Sequence, residues 1–347
     1  MHVPLPPMRL LLLSLLLLAR IAVAQPPPGY YDSAQGLTGE ALRAALNDII
    51  SPHSVLAYSQ LWEAFSSTDQ APDGGVWDIY SDVPGGTPPY EFQFIVDQCG
   101  NYDSEGDCFN REHTFPVSWF NDGTPMNTDL HHIYPTDAWV NQQRGNWPYG
   151  EVTAPAWTSQ NGSKRGPCSL PGCSGTVFEP IDTYKGDLAR GHFYMLTRYL
   201  NESVSWPAPI LSSGAFVPWA ESLLLAWHAQ DEVSDKERDR NNAVFGMQGN
   251  RNPYIDNPEW AYSIWGPEAG VDEHPASLLR ISVTDEELQI SVPQEWGLTP
   301  MNILDASGRT VKRLTLKGGT SHVAFEYLPG IYLMQAPEAG QAIRFVR

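Results

Sequence analysis

The chain has 347 residues, of which 42% are hydrophobic and 18% are charged, and its formal net charge is −19. This length is enough for one large domain or two smaller ones. The low charge content and the many aromatic residues exclude a mainly disordered chain and a coiled coil. The net charge taken alone argues against nucleic acid as a ligand, because polyanions are usually bound by basic surfaces.

The N-terminal segment has the pattern of an export signal. Arg9 precedes an apolar run at residues 10–18, and residues 22–24 read Ala-Val-Ala, which is typical of a cleavage site. A membrane anchor is the alternative, but about 20 apolar residues are needed to cross a bilayer, and Arg20 interrupts this run. We therefore predict a signal peptide over residues 1–24 and an exported, soluble mature protein.

The four cysteines fall into two pairs that are close in sequence. Cys99 and Cys108 flank one short loop, and Cys168 and Cys173 flank another. Exported proteins usually have oxidised cysteines, and pairing across each loop is the simplest of the three connectivities that four cysteines allow. A zinc site is the alternative, but the spacing is not that of paired CxxC motifs. Two disulfides are therefore the preferred prediction.

Three helices are predicted in the first two thirds of the chain. Thr38 is positioned to cap the first helix, whose apolar residues between positions 41 and 50 lie on one face and which Pro52 ends. Residues 185–200 and 217–228 predict two further helices, the second with a proline near its first turn. Long loops rich in glycine and proline separate these segments.

The pattern changes after residue 267 to short alternating segments. Residues 288–292, 312–316 and 331–335 alternate apolar and polar side chains, and turns that contain glycine and proline lie between them. Short strands at regular spacing are typical of a small β-sandwich. We predict an all-β sandwich over residues 275–347.

Candidate catalytic residues cluster between residues 110 and 151. The cluster comprises Glu112, His113, Asp129, His131, His132 and Asn141. Carboxylate and carboxamide oxygens suit a hard ion such as Mg²⁺, and a neutral histidine can deprotonate water because its pKa lies near physiological pH. This combination is suited to metal-assisted hydrolysis of a phosphodiester, whose own oxygens can bind the ion.

Glu112 and His113 impose a geometric condition on such a site. Neighbouring side chains on a regular strand point to opposite faces. Both side chains can reach one site only if the strand bends or ends there, which the nearby Pro116 permits. The sequence therefore favours a bend or a strand end at this position.

These motifs and their flanks resemble the bacterial endonuclease I family, which comprises secreted or periplasmic nucleases of the ββα-metal finger type. The resemblance covers about residues 30–266 and is carried by residues 99–120, 129–151, 178–180, 185–187, 227–228 and 248–253. It implies an α+β fold, with a mainly helical catalytic domain over residues 25–267 built around a ββα-metal finger. It also implies Mg²⁺-dependent, largely sequence-independent cleavage of DNA, and often RNA, that leaves 5′-phosphates.

The resemblance assigns roles to individual residues. His113 matches the general base, and Glu112 and Asn141 match the ligands of one catalytic divalent ion. Mg²⁺ is the expected ion, with Mn²⁺ and Ca²⁺ as alternatives, and water and phosphate oxygens would complete its octahedral coordination. The residues expected to brace the finger and to orient His113 are Asp129, His131 and His132.

The sequence identifies the residue that stabilises the phosphate less clearly than it identifies the base and the metal ligands. In periplasmic relatives an arginine in a longer insertion has this role, whereas the corresponding connection here, residues 121–127, contains no arginine. Arg144, Arg111 and Arg190 are the candidates, and Arg144 is preferred. A structural ion pair is an equally good interpretation of Arg144.

The C-terminal segment resembles the sorting domains of type IX secretion. The resemblance is carried by Leu-Gln-Ile at residues 288–290, Ile-Leu-Asp at 303–305, Leu-Pro-Gly-Ile-Tyr at 328–332 and the terminal Phe-Val-Arg. It implies transit across the outer membrane by the type IX machinery, followed by release or attachment to the cell surface. A sandwich that binds sugar or a surface polymer is the alternative.

The sequence thus predicts a secreted or surface-displayed, monomeric endonuclease that acts on DNA and RNA without an obligate protein partner. Because the chain is acidic, we expect modest affinity for nucleic acid and a strong requirement for millimolar divalent ion. A catalytically silent binding protein on the same fold is the alternative, although Glu112, His113 and Asn141 are intact. A metalloprotease is disfavoured because the chain has no HExxH motif.

Overall fold

The computed structural model describes residues 25–266, 280–283, 287–292, 296–305, 309–325, 330–336 and 341–346. Contacts between Cα atoms divide the chain into two compact units, residues 1–270 and 271–347, and each is described here by itself. The predicted signal peptide, residues 1–24, lies outside the described residues, as does the predicted boundary at residues 267–275.

The first unit combines helices with short antiparallel strands, which confirms the predicted α+β class. Its helices are α1 (Gly39–Ile50), α2 (Leu61–Thr68), α3 (Ala138–Arg144), α4 (Lys185–Arg198), α5 (Pro218–Gln230), α6 (Asp235–Gln248), α7 (Pro253–Asp256) and α8 (Glu259–Trp265). Its strands are β1 (Phe109–His113), β2 (Ile133–Asp137), β3 (Trp157–Thr158), β4 (Lys164–Pro167), β5 (Thr176–Glu179), β6 (Leu211–Ser212) and β7 (Ala215–Phe216). Within the described residues, no helix has both the length and the apolar character needed to cross a bilayer.

All three predicted helices are present, as α1, α4 and α5. Thr38 occupies the position before α1, but its side chain makes no capping hydrogen bond. Leu42, Leu46 and Ile50 of α1 are fully buried, as the apolar face predicts. Pro218 is the first residue of α5, where its missing N–H costs no helical hydrogen bond.

Two apolar clusters hold the first unit together. The larger one surrounds α4, whose residues are almost all buried and which packs against α1 and α5. The smaller one includes Phe65 of α2, Phe109 of β1, Ile133 of β2 and Val244 of α6. Tyr134, the next residue of β2, belongs to the larger cluster. The strand pair β1–β2 therefore has buried side chains in both clusters, which fixes its position in the unit.

Strands β1 and β2 and helix α3 form the ββα arrangement that the family resemblance implies. The two strands are antiparallel, with Glu112 opposite Tyr134 and His113 opposite Ile133. Helix α3 follows β2 directly, and Gly145 ends it with a φ of +53°, a conformation that favours glycine. Strand β1 ends at His113, so the strand end that the sequence favours is present.

Both predicted disulfides are confirmed. Cys99 is bonded to Cys108, which directly precedes β1, so this disulfide ties the loop before the strand to the start of the strand. Cys168 is bonded to Cys173, and this bond closes the connection between β4 and β5.

The second unit is an all-β sandwich, as predicted. Its strands are β8 (Arg280–Val283), β9 (Glu287–Val292), β10 (Leu298–Asp305), β11 (Thr310–Lys317), β12 (Gly319–Ala324), β13 (Ile331–Ala336) and β14 (Gln341–Val346). They form two antiparallel sheets, in the orders β11-β10-β13-β14 and β12-β9-β8. Leu288 and Ile290 from one sheet share a buried core with Ile303 and Met334 from the other.

Candidate active site

A cavity of about 980 Å³ opens at the end of β1. Its walls come from β1, from α3 and the residues just after it, from the connection between β1 and β2, and from Tyr58, which lies shortly before α2. The lining residues are Tyr58, Asn110, Arg111, Glu112, His113, Pro116, Val117, Ser118, Asn121, Asp122, Asn127, Asn141, Arg144, Gly145 and Asn146. The predicted base, the two predicted metal ligands and the preferred arginine therefore share one cavity.

Glu112 is held in this cavity through one of its two carboxylate oxygens. Its Oε1 accepts a hydrogen bond from the Tyr80 hydroxyl at 3.0 Å and lies 3.2 Å from Nη1 of Arg144. Burial raises the pKa of Glu112, whereas Arg144 and Tyr80 act to lower it. Among the described residues no hydrogen-bond donor lies on Oε2, so this oxygen is the one available to a ligand.

His113 is held in its neutral form. The side chain is largely buried, and burial lowers its pKa to about 4. Its Nε2–H donates a hydrogen bond to the backbone carbonyl of Asn127 at 3.1 Å, which leaves Nδ1 without a proton. A neutral histidine with an unprotonated Nδ1 can accept a proton from water at physiological pH.

Asn141 and Asn127 bring amide oxygens to the same cavity. Nδ2 of Asn141 donates to Oδ1 of Asn110 at 2.7 Å, so the side-chain oxygen of Asn141 is the atom left for a ligand. Oδ1 of Asn127 is buried and has no hydrogen-bond partner in the described part of the chain. The free oxygens of Glu112 and Asn141 are of the type that Mg²⁺ prefers, and both residues line the cavity.

Any cation at this site would also need oxygen atoms from outside the protein. Within the ranges that the structure describes, no group of three or more His, Cys, Asp and Glu side chains is arranged to hold a metal ion. Mg²⁺ usually keeps several waters and is bound through one or two protein groups plus phosphate oxygens. The residues present therefore fit Mg²⁺ better than an ion that needs a complete protein cage.

Arg144 spans the gap between α3 and the end of β1. Its guanidinium donates to the backbone carbonyl of His113 at 2.8 Å and to that of Thr114, and it forms an ion pair with Glu112. The side chain is only 1% exposed, and its guanidinium lies over the ring of Tyr149. These contacts are those of a structural ion pair, so the phosphate contact stays a prediction.

The two other arginine candidates differ in accessibility. Arg190 is fully buried, pairs with Glu237 at 2.8 Å between Nη2 and Oε2, and is not among the residues that line the cavity. Arg111 lines the cavity and is partly exposed, with its guanidinium over the rings of Tyr58 and Trp62. Of the three candidates, Arg111 is the one that solvent and a phosphate can reach.

Asp129 is the centre of a buried hydrogen-bond network. Its carboxylate accepts hydrogen bonds from the hydroxyls of Tyr194 and Tyr199, both at 2.8 Å, and from Nε2 of Gln248 at 3.0 Å. It also accepts a bond from the backbone N–H of His131 at 3.1 Å. Asp129 thereby connects the 3₁₀ turn before β2 to α4 and α6, and its role in orienting His113 stays a prediction.

The two adjacent histidines contact different parts of the unit. Nε2 of His131 donates to the backbone carbonyl of Asn250 at 3.2 Å, and Nε2 of His132 donates to that of Met126 at 2.7 Å. The ring centroid of His132 lies 5.6 Å from that of His113. Of the three residues predicted to orient the base, His132 is therefore the one that touches it. The hydrogen bond that orients His113 comes instead from a backbone carbonyl, which no side-chain motif reveals.

Two tyrosines that the sequence analysis did not single out support Glu112. The hydroxyl of Tyr80 donates to Glu112 and lies 3.1 Å from the hydroxyl of Tyr149. Tyr149 lies within a segment that carries the family resemblance, whereas Tyr80 lies outside every such segment. Tyr80 could not be identified from sequence, because its partner is 32 positions away.

Two buried carboxylates fix the start of α3. Asp137 accepts a hydrogen bond from the backbone N–H of Val140 at 2.7 Å, and its own N–H donates to Asp78 at 3.0 Å. Burial raises the pKa of Asp78 to about 7 and that of Asp137 to about 6. An aspartate directly before a helical segment is a recognised capping signal, and it could have identified Asp137.

Comparison with known proteins places the chain in a family. Residues 38–259 match the family model described as Endonuclease I. The chain belongs to the Endonuclease I family. It is 37% identical over 252 residues to an extracellular ribonuclease of Bacillus amyloliquefaciens, covering 68% of this chain and 78% of that protein. An extracellular ribonuclease of Bacillus subtilis (strain 168) is also 37% identical, over 248 residues and with the same two shares. An extracellular deoxyribonuclease of Aeromonas hydrophila is 24% identical over 256 residues, which is 68% of this chain and 94% of that protein.

Family membership confirms the resemblance seen in the sequence and identifies the chain as a nuclease. The matched region contains every residue that lines the cavity. It ends before the β-sandwich, whose role in sorting stays a prediction.

Proposed function

We propose that the protein is a secreted, Mg²⁺-dependent endonuclease that hydrolyses phosphodiester bonds of DNA and RNA without sequence preference and leaves 5′-phosphates. The observation that carries this proposal is the geometry of the cavity. A neutral histidine with an unprotonated Nδ1 lines the same cavity as the oxygen donors Glu112 and Asn141, in a chain of the Endonuclease I family.

His113 acts as the general base in this proposal. Its Nδ1 removes a proton from a water molecule, and the resulting hydroxide attacks the phosphorus while the bond to the 3′ oxygen breaks. The Asn127 carbonyl holds Nε2–H in place throughout, so the tautomer and the ring orientation are set before substrate arrives. Mg²⁺ held by Glu112 and Asn141 would supply positive charge to the phosphate and leaving oxygens.

The substrate and the location are inferred from several supports. The names of the relatives include both ribonucleases and a deoxyribonuclease, all extracellular. Two disulfides and the predicted signal peptide are typical of an exported protein. We also propose that the protein is a monomer without an obligate protein partner. It would be exported through the periplasm and then by the type IX machinery, which would recognise the β-sandwich.

The proposal is tested by degradation of plasmid DNA and of RNA by the purified protein, with Mg²⁺ or with EDTA. We expect cleavage of both with Mg²⁺ and none with EDTA. His113→Ala should lose roughly 10²- to 10⁴-fold in rate, the usual contribution of a general base. His322→Ala is the matched control, because His322 lies on strand β12 of the sandwich and is exposed.

Three outcomes would contradict parts of this proposal. Full activity in EDTA would exclude the metal, and full activity of His113→Ala would exclude His113 as the base while leaving the enzyme class intact. A folded wild-type protein that cleaves neither substrate with Mg²⁺ would favour the catalytically silent binding protein.

A further inference from the structure

One exposed aromatic ring lies at the edge of the candidate active site. Tyr58 lines the cavity, and 45% of its surface is exposed. It begins the 3₁₀ turn Tyr58–Gln60, which leads directly into α2. Single exposed aromatic side chains are common, so what distinguishes Tyr58 is its place in the wall of the cavity that contains His113 and Glu112.

The ring of Tyr58 is held in a fixed position. The guanidinium of Arg111 lies 3.8 Å from its ring centroid, and Nη1 of Arg111 donates to the Tyr58 backbone carbonyl at 3.1 Å. Arg111 is supported in turn by the ring of Trp62 at 4.4 Å. The rings of Tyr58 and His113 are nearly parallel, at 15°, with centroids 6.2 Å apart. The ring of Tyr58 thus lies beside the proposed base, with the guanidinium of Arg111 over one of its faces.

The side chains that line the cavity supply little positive charge to attract a phosphate. Among the residues that line it, Arg111 and Arg144 are the positively charged ones, and the buried contacts of Arg144 with protein groups leave Arg111 as the accessible cation. Two acidic residues, Glu112 and Asp122, line the same cavity. An interaction that does not depend on charge would therefore add usefully to the attraction between the phosphate and the proposed Mg²⁺. Stacking of a base on an aromatic ring is such an interaction, and it accepts every base.

We propose that Tyr58 is a stacking platform for an unpaired nucleobase next to the scissile phosphate, so that single-stranded nucleic acid is the preferred substrate class. This inference rests on the proposed nuclease function and deepens it. A base within a duplex is already stacked on both sides and must leave the helix to reach the ring, which has an energetic cost. Single strands meet no such cost.

The test uses a short oligodeoxynucleotide with one phosphodiester and neutral methylphosphonates at all other linkages. Two further versions have an abasic residue on the 5′ or on the 3′ side of the phosphodiester. Tyr58→Ala should lose roughly 5- to 150-fold in kcat/KM on the complete substrate, mainly through KM. Tyr58→Phe should retain most of the activity, because its ring can still stack.

The abasic substrates separate stacking from support of the active site. The kcat/KM of wild type should be lower by a similar factor on one of the two abasic versions than on the complete substrate. The kcat/KM of Tyr58→Ala should be the same on that version as on the complete substrate. The matched control is Tyr262→Ala, which removes a tyrosine that is 41% exposed and lines a different pocket, and it should behave as wild type. On a duplex with ordinary phosphodiesters, Tyr58→Ala should change the rate much less than on the corresponding single strand.

Several outcomes would overturn the inference. An equal loss by Tyr58→Ala on complete and abasic substrates would mean that Tyr58 only supports Arg111 or His113. Equal cleavage of complete and abasic substrates by wild type would exclude base stacking while leaving the nuclease function intact. A wild type that cleaves none of these substrates, nor plasmid DNA or RNA, would instead overturn the proposed function. A binding measurement does not require cleavage. We expect the fluorescence of 2-aminopurine, placed next to the phosphodiester, to be quenched when the oligonucleotide binds the His113→Ala variant. The quenching should be lost in the double variant His113→Ala/Tyr58→Ala.

Discussion

The guanidinium of Arg144 lies between the two elements that carry the candidate catalytic residues. It binds the carbonyls of His113 and Thr114 at the end of β1 and the carboxylate of Glu112, while its own backbone belongs to α3. A lysine at this position could not make the same set of contacts, because its ammonium group is not a planar fork that reaches several acceptors at once. Arg144 therefore determines how β1 and α3 are placed relative to each other.

We predict that Arg144→Ala destabilises the protein by about 3–5 kcal/mol, since it leaves the buried Glu112 carboxylate without its cationic partner. Arg144→Lys should recover only part of this loss. Urea unfolding in EDTA measures both variants without a contribution from bound metal. Unchanged unfolding combined with a 100-fold loss of kcat would show instead that Arg144 acts on the phosphate.

Arg111→Gln provides the comparison for this prediction. Arg111 is partly exposed and packs on two aromatic rings, without an ion pair among the described residues. We expect its loss to raise KM while changing the free energy of unfolding by less than about 1 kcal/mol, as is usual for exposed side chains. A large loss of stability in Arg111→Gln would assign the structural role to this residue as well.

At the scale of elements, the 3₁₀ turn from Leu130 to His132 is held in place by Asp129. Two tyrosine hydroxyls and one glutamine amide donate to this single carboxylate, and the donors come from α4, the residue after it, and α6. The turn leads into β2, so its position sets the register of the finger. We therefore predict that Asp129 influences the active site through the backbone that follows it.

Asp129→Asn should destabilise the protein by roughly 2–4 kcal/mol, because the amide places an N–H group against donors and leaves buried groups unsatisfied. Tyr199→Phe removes one donor and leaves the carboxylate with its other partners, so we expect a loss of about 1 kcal/mol. Urea unfolding measures both changes. Equal losses in the two variants would mean that the network does not depend on the charge of Asp129.

The helices that could be predicted are those whose buried face is apolar, such as α1 with Leu42, Leu46 and Ile50. Helix α6 escaped prediction for the opposite reason. Its buried positions include Glu237, Arg240, Asn241 and Gln248, which recur at helical spacing but are polar. Burial of these residues is explained only by partners far away in sequence, so an analysis based on apolar periodicity cannot detect it.

Only part of the candidate site could be predicted from the sequence, because the remaining contacts also join residues that are far apart in the chain. Glu112, His113 and Asn141 are recognisable because their order along the chain resembles the family. The groups that position them are a backbone carbonyl at Asn127, the hydroxyl of Tyr80 and the ion pair of Arg144. Such contacts depend on the completed fold, and local sequence contains no pattern for them.

At the scale of the whole molecule, net charge proved a poor guide to the ligand. A value of −19 argues against nucleic acid, and membership of the Endonuclease I family overturns that exclusion. Charges farther from the phosphate than about 8 Å are largely screened at physiological ionic strength. The groups that line the cavity therefore matter more than the total charge.

Buried titratable groups with opposite effects set the response of the whole fold to acid. Burial lowers the pKa of His131 to about 4 and those of His132 and His192 to about 3. In the unfolded chain these groups titrate near 6.5, so below that pH the unfolded state binds protons that the native state does not. Histidines therefore destabilise the fold as the pH falls. The carboxylates Asp78 and Asp137, whose pKa values are raised, have the opposite effect between about pH 7 and 4.

Comparison of wild type with His192→Phe isolates one histidine from this balance. His192 is buried between the rings of Phe115 and Tyr149, and its Nδ1–H donates to the Leu188 carbonyl at 2.8 Å. The carboxylates are the same in both proteins, so their contributions cancel in the difference. We expect the stability of wild type relative to His192→Phe to fall by up to about 1.4 kcal/mol per pH unit below pH 6.5, and to be constant above pH 7.5. Urea unfolding at pH 8, 7, 6 and 5 measures the difference, and a difference that does not change with pH would show that His192 is protonated equally in the folded and unfolded chains.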